Sequence, residues 1–224
     1  MGEAVADSEQ EKRIVHYSSN QKILLVGEGN FSFSSCLAKE FGSATNMVAT
    51  SLDSRESVLA KYSNAAPRNL AELEGMGCVI LHEVDVHTMR QHPYLKDLMF
   101  DRIVFNFPHA GFVFMENQKK QIKLHQKLVR QFLKSACEML KESGEIHVTH
   151  KTPYPFSKWE IVKLAGDFGL YLVEEASFSR GDYPGYLNKR GSGKKCNRTF
   201  PVGLCSTYKF AKLPLLKFSE ATLM

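Results

Sequence analysis

"KILLVGEGNFSFS", residues 22–34, carries four aliphatic side chains in a row, Ile23 to Val26, directly into Gly27-Glu28-Gly29-Asn30-Phe31-Ser32. A short unbroken apolar run ended by glycine is the pattern of a strand buried on both faces, and the residues that follow return to helical spacing. A glycine turn joining such a strand to a helix sets backbone N–H groups and the positive helix end beside whatever sits above the sheet. Gly27 and Gly29 let the backbone approach a ligand closely. An ordinary tight turn accounts for the same residues. Ser32 stands where the dinucleotide fingerprint has its third glycine, which disfavours a pyrophosphate site.

On the C-terminal side of this stretch, β-branched apolar runs alternate with longer segments of helical period. Strands are expected over 22–26, 47–52, 78–84, 102–106, 145–150, 170–177 and 207–210, and helices over 32–41, 54–62, 67–76, 116–141 and 158–168. That order predicts an α/β fold with a mainly parallel sheet and helices on both faces. The last two strands have no helix between them and read as an antiparallel terminal pair joined by a long loop. With 224 residues the chain is expected to form one domain over 21–212, with tails at 1–20 and 213–224.

Bulk properties narrow the function. No apolar run reaches the ~18 residues of a membrane span, and residues 1–20 lack the apolar core of a secretory signal, so an intracellular protein without a membrane partner is expected. The start Met-Gly-Glu-Ala-Val-Ala places Ala6 where a myristoylation signal wants Ser or Thr. Cys36, Cys78, Cys137, Cys196 and Cys205 show no Cys-x-x-Cys spacing. The pairs His82/His87 and His147/His150 lack cysteine partners and read as strand-surface residues, so no metal is expected. A formal charge of +5 suits a polyanionic partner.

The chemistry gathers at the ends of successive strands. The second finishes near Asp53, whose carboxylate suits the two hydroxyls of a ribose, and the third near Asp85-Val86, where the acid suits an exocyclic amino group and the valine the ring of an adenine. Each acid also reads as a helix N-cap. The fourth runs into Asn106-Phe107-Pro108-His109, similar to the Asn/Asp-Pro-Pro-aromatic tetrad with which methyltransferases hold a target nitrogen, although Phe107 replaces the first proline and His109 the aromatic residue. His109 is suited to stacking or to moving a proton. In the plainer reading Pro108 only stops the strand.

"LLVGEGNFSFS", "FNFPHAG", "GEIHVTHKTPYPFSKWEI" and "YPGYLNKRGSG…TFPVGLCSTYKF" together resemble the Rossmann-like family of large-subunit ribosomal RNA uridine-N3 methyltransferases, over about residues 22–210. The resemblance implies a seven-stranded class I fold using S-adenosyl-L-methionine, held by Gly27, Glu28, Gly29, Asn30, Phe31, Ser32, Asp53, Asp85, Val86 and Asn106. It implies ribosomal RNA or a pre-ribosomal particle as partner, a nucleolar or nuclear location, and a monomer. Uracil N3 becomes nucleophilic only when its imide proton leaves; Asn106 is placed to orient the base, His109 to accept the proton, and Lys151 to stabilise charge on the ring oxygens. Phe107 or Phe112 would stack on an extruded base.

Two segments suit RNA. One joins Lys189, Arg190, Lys194, Lys195 and Arg198 with Tyr183, Tyr186 and Phe200 in a glycine-rich loop expected to order on binding. The other is the long helix, where Lys119, Lys123, Lys127, Arg130 and Lys134 oppose an apolar stripe of Ile122, Val129, Phe132, Leu133, Ala136 and Leu140. Two further functions fit the pattern: a non-catalytic RNA-binding or ribosome-assembly module, and a nicotinamide-dependent oxidoreductase.

Overall fold

The computed structural model describes residues 10–214. The myristoylation-like start and most of the expected C-terminal tail, from 215 onward, lie outside the described residues.

Strand β3 (Ile23–Val26) is buried at all four positions and separates two apolar layers: Ile23 and Leu25 pack on one side, Leu24 and Val26 on the other. It pairs in parallel with β4 (Met47–Thr50) and with β6 (Phe100–Asn106); β5 (Val79–Leu81) adds to β4, and β7 (Leu140–Lys151) to β6. The chain then turns back, and β9 (Cys205–Lys212) lies antiparallel between β7 and β8 (Leu170–Ser177). The resulting order, β5-β4-β3-β6-β7-β9-β8, is the seven-stranded, mainly parallel sheet that the sequence predicts. Helices α1 (Ser32–Phe41) and α3 (Ala66–Gly75) contribute Leu37, Leu70 and Leu73 to one layer. Helices α4 (Lys119–Glu138) and α5 (Ile161–Gly166) contribute Val129, Phe132, Leu133 and Leu164 to the other. Burial of each layer, at roughly 25 cal/mol per Å² of apolar surface, is the main force holding the sheet between helices. Between β4 and α3 lies the short α2 (Arg55–Lys61).

Several boundaries differ from the sequence reading, among them β4, which stops at Thr50, and β7, which begins at Leu140. The strand expected over 78–84 pairs only over Val79–Leu81, because Glu83 takes a left-handed backbone (φ 59°) and turns the chain. The helix expected over 116–141 covers Lys119–Glu138, and Leu140 already pairs with Phe100. In the segment expected as a helix over 158–168, a 3-10 turn at Phe156–Trp159 precedes α5. Residues expected as a tail form a hairpin, β1 (Arg13–Ile14) and β2 (Tyr17–Ser18), that seats Tyr17 in the core.

The Tyr17 hydroxyl reaches Nδ1 of His147 at 3.2 Å, and His147 Nε2 lies 2.8 Å from Glu145. His147 and His150 are thus buried, not strand-surface residues. Burial lowers His147 to about 4 even against the pull of Glu145, which keeps it neutral.

Candidate active site

Strands β3, β4, β5 and β6 end on one edge of the sheet, above which lies a cleft of about 570 Å³. Gly27 to Asn30, Asp53, Tyr62, Asp85, Val86, Asn106 and the segment 186–192 line it. Gly27 is required there twice over: its φ is 69°, and a Cβ would lie 2.5 Å from the Phe105 ring. A Cβ on Gly29 would press on the Tyr62 hydroxyl at 3.1 Å.

The turn differs from the expected anion cradle. The Glu28 carboxylate accepts the Ser34 N–H at 3.2 Å and Asn30 Oδ1 accepts that of Ser32, also at 3.2 Å, so two donors at the start of α1 are capped from within. Burial raises Glu28 to about 7 against the Ser34 hydrogen bond. A carboxyl group filling the turn leaves no cradle for a pyrophosphate, which removes the support for a nicotinamide dinucleotide. Phe31 and Ser32 are buried beneath the cleft and do not line it; Ser32 Oγ instead accepts the Leu187 N–H at 3.0 Å and ties the roof segment down.

Asp53 is not a helix cap. That task falls to Ser54, whose Oγ accepts the Ser57 N–H, while the Asp53 carboxylate faces Lys61 Nζ at 2.5 Å on the cleft wall. Asp85 Oδ1 takes the backbone N–H of His87 at 2.9 Å and lies 2.6 Å from its Nδ1. Three polar groups on or beside the cleft have buried atoms without partners: both amide atoms of Asn106, Nδ2 of Asn30 and the Tyr62 hydroxyl. An orphaned buried polar atom costs about 1–3 kcal/mol, so groups of this kind at a cleft await a polar ligand.

Beside Asn106 a second pocket, about 230 Å³, is walled by Phe107, Phe112, Phe156, Trp159, Phe200 and the rings of His109 and His150. Phe107 reaches it because its own backbone is left-handed (φ 49°), and it packs edge-on to Phe178 and Phe200. Lys151 Nζ sits 5.1 and 5.2 Å from the centroids of Phe156 and Phe200, and burial lowers its pKa. His150, lowered to about 3 chiefly by burial, is neutral, with Nε2 unpartnered.

His109 is clamped. Its Nδ1 accepts the Gly111 N–H at 3.0 Å, so the ring proton is on Nε2 and points to Glu116 Oε1 at 2.8 Å. His125 takes the Ala110 N–H on Nδ1 at 3.2 Å, and its Nε2 lies 3.2 Å from Glu116 Oε2 and 2.9 Å from Gln121 Nε2. Burial works against the Glu116 carboxylate, yet hydrogen bonds from His109 and His125 lower it to about 2. The three ligand-type side chains lie within 4.8 Å of one another. They do not suit a divalent metal: a metal on either Nε2 would need an imidazolate, because both Nδ1 atoms already accept backbone protons, whereas a metal-bound histidine donates from its second nitrogen. The same geometry leaves His109 no free lone pair with which to act as a base.

The expected RNA loop divides in two. Tyr183 and Tyr186 are core residues packed on Phe33 and Phe178, not rings exposed on the loop for RNA bases. Lys189 and Arg190 line both pockets, and Arg190, Lys194, Lys195 and Arg198 are exposed. The loop is closed by backbone bonds between Arg190 and Arg198 and between Gly191 and Cys196. Tyr62, Glu116 and His125 carry no motif in the sequence, and His150 and Trp159 lie in "GEIHVTHKTPYPFSKWEI" without a site role read from it; the fold brings all five to the site.

The sheet order, with helices on both faces and the chain's glycine turn at the end of β3, is that of a class I methyltransferase fold. The chain belongs to the BMT5-like family, described as rRNA (uridine-N3-)-methyltransferase, whose sequence pattern matches residues 24–190. It is similar to an uncharacterized Arabidopsis thaliana protein, 56% identical over 90% of this chain and 98% of that one. It is 47% identical to the Arabidopsis thaliana heavy metal-associated isoprenylated plant protein 41 over 92% of this chain, which spans only 40% of that protein. Among solved structures, TrmN from Thermus thermophilus shares the fold, with a TM-score of 0.53 at 18% identity, over 86% of this chain and 44% of that one.

Proposed function

We propose that the protein methylates N3 of a uridine in large-subunit ribosomal RNA, with the cofactor in the larger cleft and the extruded base in the aromatic pocket. The observation that carries the reading is Asn106, whose unpartnered amide stands at the cleft beside the aromatic pocket. S-adenosylmethionine supplies an electrophilic methyl group. Its binding falls to Asp53 for the ribose, Asp85 and Val86 for the adenine, and the Gly27–Gly29 turn for close approach.

Phe107, Phe112 and Phe200 sandwich the base. Lys151 supplies a cation, and the one carboxylate of this pocket, Glu116, has both oxygens engaged by histidines. Such a lining favours a ring rich in acceptors, as uracil is with its two carbonyl oxygens, and it favours the anion left when the N3 proton departs. With His109 committed to Glu116 and Gly111, that proton passes to water. Asn106 would hold the ring edge so that the N3 lone pair lines up with the methyl group that the cofactor would supply.

Lys189, Arg190, Lys194, Lys195 and Arg198 contact the RNA backbone in this reading; replacing Lys189, Arg190, Lys194 and Lys195 with Ala should flatten the salt dependence of RNA binding. A monomer acting on pre-ribosomal RNA in the nucleolus or nucleus fits the same reading. Mass spectrometry of ribosomal RNA nucleosides with and without the protein tests it: an unchanged 3-methyluridine content in RNA from cells lacking the protein, together with no methyl transfer to that RNA in vitro, would refute it.

A further inference from the structure

Between Gly111 and Glu116 the chain holds four consecutive apolar side chains in solvent: Phe112, Val113, Phe114 and Met115 are 52%, 63%, 40% and 66% exposed. Core formation does not explain such a patch, and contiguous exposed apolar surface marks a contact site. Nor does the loop lack anchors. Gln121 donates from Nε2 to the Gly111 carbonyl at 2.5 Å and accepts the Phe114 N–H at 2.8 Å, while Glu116 ties the far end to His109 and His125. The four side chains are therefore held outward on a fixed frame.

Charge selects the occupant. From Phe107 to Cys137 the sole carboxylate is that of Glu116, already engaged, whereas Lys119, Lys120, Lys123, Lys127, Arg130 and Lys134 follow in quick succession. Arg130 pairs with Asp167. Lys119, Lys120 and Lys123 are exposed and have no ion-pair partner among the described residues, and Lys120 Nζ lies 5.7 Å from the centroid of the Phe114 ring. Phe112 also lines the aromatic pocket, so the patch is continuous with its mouth. Rings beside unpaired cations at the mouth of a base-sized pocket match single-stranded nucleic acid, in which each base offers a π-face and each phosphate a charge. An apolar protein partner would require neither the lysines nor the pocket.

We propose that the 112–115 loop is the platform on which nucleotides flanking the extruded uridine stack, with Lys119, Lys120 and Lys123 on their phosphates. This rests on the aromatic pocket being the base pocket, and it transfers the stacking of flanking bases from Tyr183 and Tyr186 to Phe114 and its exposed neighbours Val113 and Met115, with Phe112 at the pocket mouth.

The test measures fluorescence anisotropy of a single-stranded RNA with one central uridine, against the parent and the combined variant Val113→Ser, Phe114→Ser, Met115→Ser, with and without abasic flanks. The variant should bind about tenfold more weakly or worse. Abasic flanks should weaken the parent by a similar factor, and the two losses should not add. Phe114→Trp alone should retain affinity, and S-adenosylmethionine binding by calorimetry should be unchanged throughout, which reports an intact fold. Equal affinity of variant and parent, or additive losses, would overturn the proposal; a change in self-association by light scattering with RNA binding intact would assign the patch to a second copy. RNA binding that depends on the flanks, without methyl transfer to the uridine, would sink the methylation reading alone and leave the platform standing.

Discussion

Glu116 holds His109 in one tautomer: its Oε1 lies 2.8 Å from His109 Nε2 while the Gly111 N–H occupies Nδ1. A histidine with both nitrogens engaged is a wall and not a base. Methyl transfer by the parent should therefore rise with pH toward the ionisation of uracil itself, and His109→Phe should follow the same profile at a rate lowered by no more than about tenfold. Glu116→Gln should lower the rate without moving the profile, because an amide accepts one of the two donated protons and opposes the other. Single-turnover rates between pH 6 and 10 check both. A limb in the histidine range that disappears in His109→Phe would restore the proton to His109.

Asn106→Ala separates function from stability. Both amide atoms are buried without partners, so their removal breaks no hydrogen bond, and the melting temperature should stay level or rise. Methyl transfer should fall roughly a hundredfold or more, the scale of losing a positioned polar group, with cofactor affinity nearly intact. A loss of melting temperature in step with rate would recast Asn106 as structural.

Asp53→Ala should weaken S-adenosylmethionine by on the order of 1–3 kcal/mol, because buried ribose hydroxyls lose a charged acceptor. Lys61→Ala, which removes the cation that Asp53 faces at 2.5 Å, should leave the acceptor in place and cost less. Isothermal calorimetry on the two variants ranks them, and equal affinities of Asp53→Ala and parent would take Asp53 out of the site.

Glu28 imposes a pH dependence on stability. Burial raises its folded pKa to about 7 from the usual 4.5. Below 4.5 the group is protonated whether the chain is folded or not; as pH rises toward 7 the unfolded chain ionises first, so stability is lost across that window, by up to about 3 kcal/mol. Glu28→Gln abolishes this while keeping an acceptor for the Ser34 N–H. Its melting temperature should overtake that of the parent progressively between pH 4.5 and 7 and hold a constant lead above. A lead independent of pH would mean that Glu28 is ionised in the fold.

Features that depend on neighbours along the chain are legible in the residues alone. The four aliphatics of β3, the glycine turn and the apolar runs of β4 and β6 are local patterns, and they place Asp53, Asp85 and Asn106 at strand ends because strand and helix periods are local properties. Which side of the molecule each residue serves depends instead on contacts between distant segments. Tyr183 and Tyr186 carry the same letters whether they stack on a base or on Phe33 and Phe178; the antiparallel return of β9 beside β7 and β8 folds them inward and leaves Lys189 and Arg190 at the cleft. Tyr17, in an apparent tail, becomes core because its hydroxyl finds His147 across the fold. Glu116 and His125 acquire their meaning only when α4 docks beneath the loop that follows β6. Burial, tautomer and hydrogen-bond partner are set by contacts between segments far apart in the chain, and no period in the sequence encodes them.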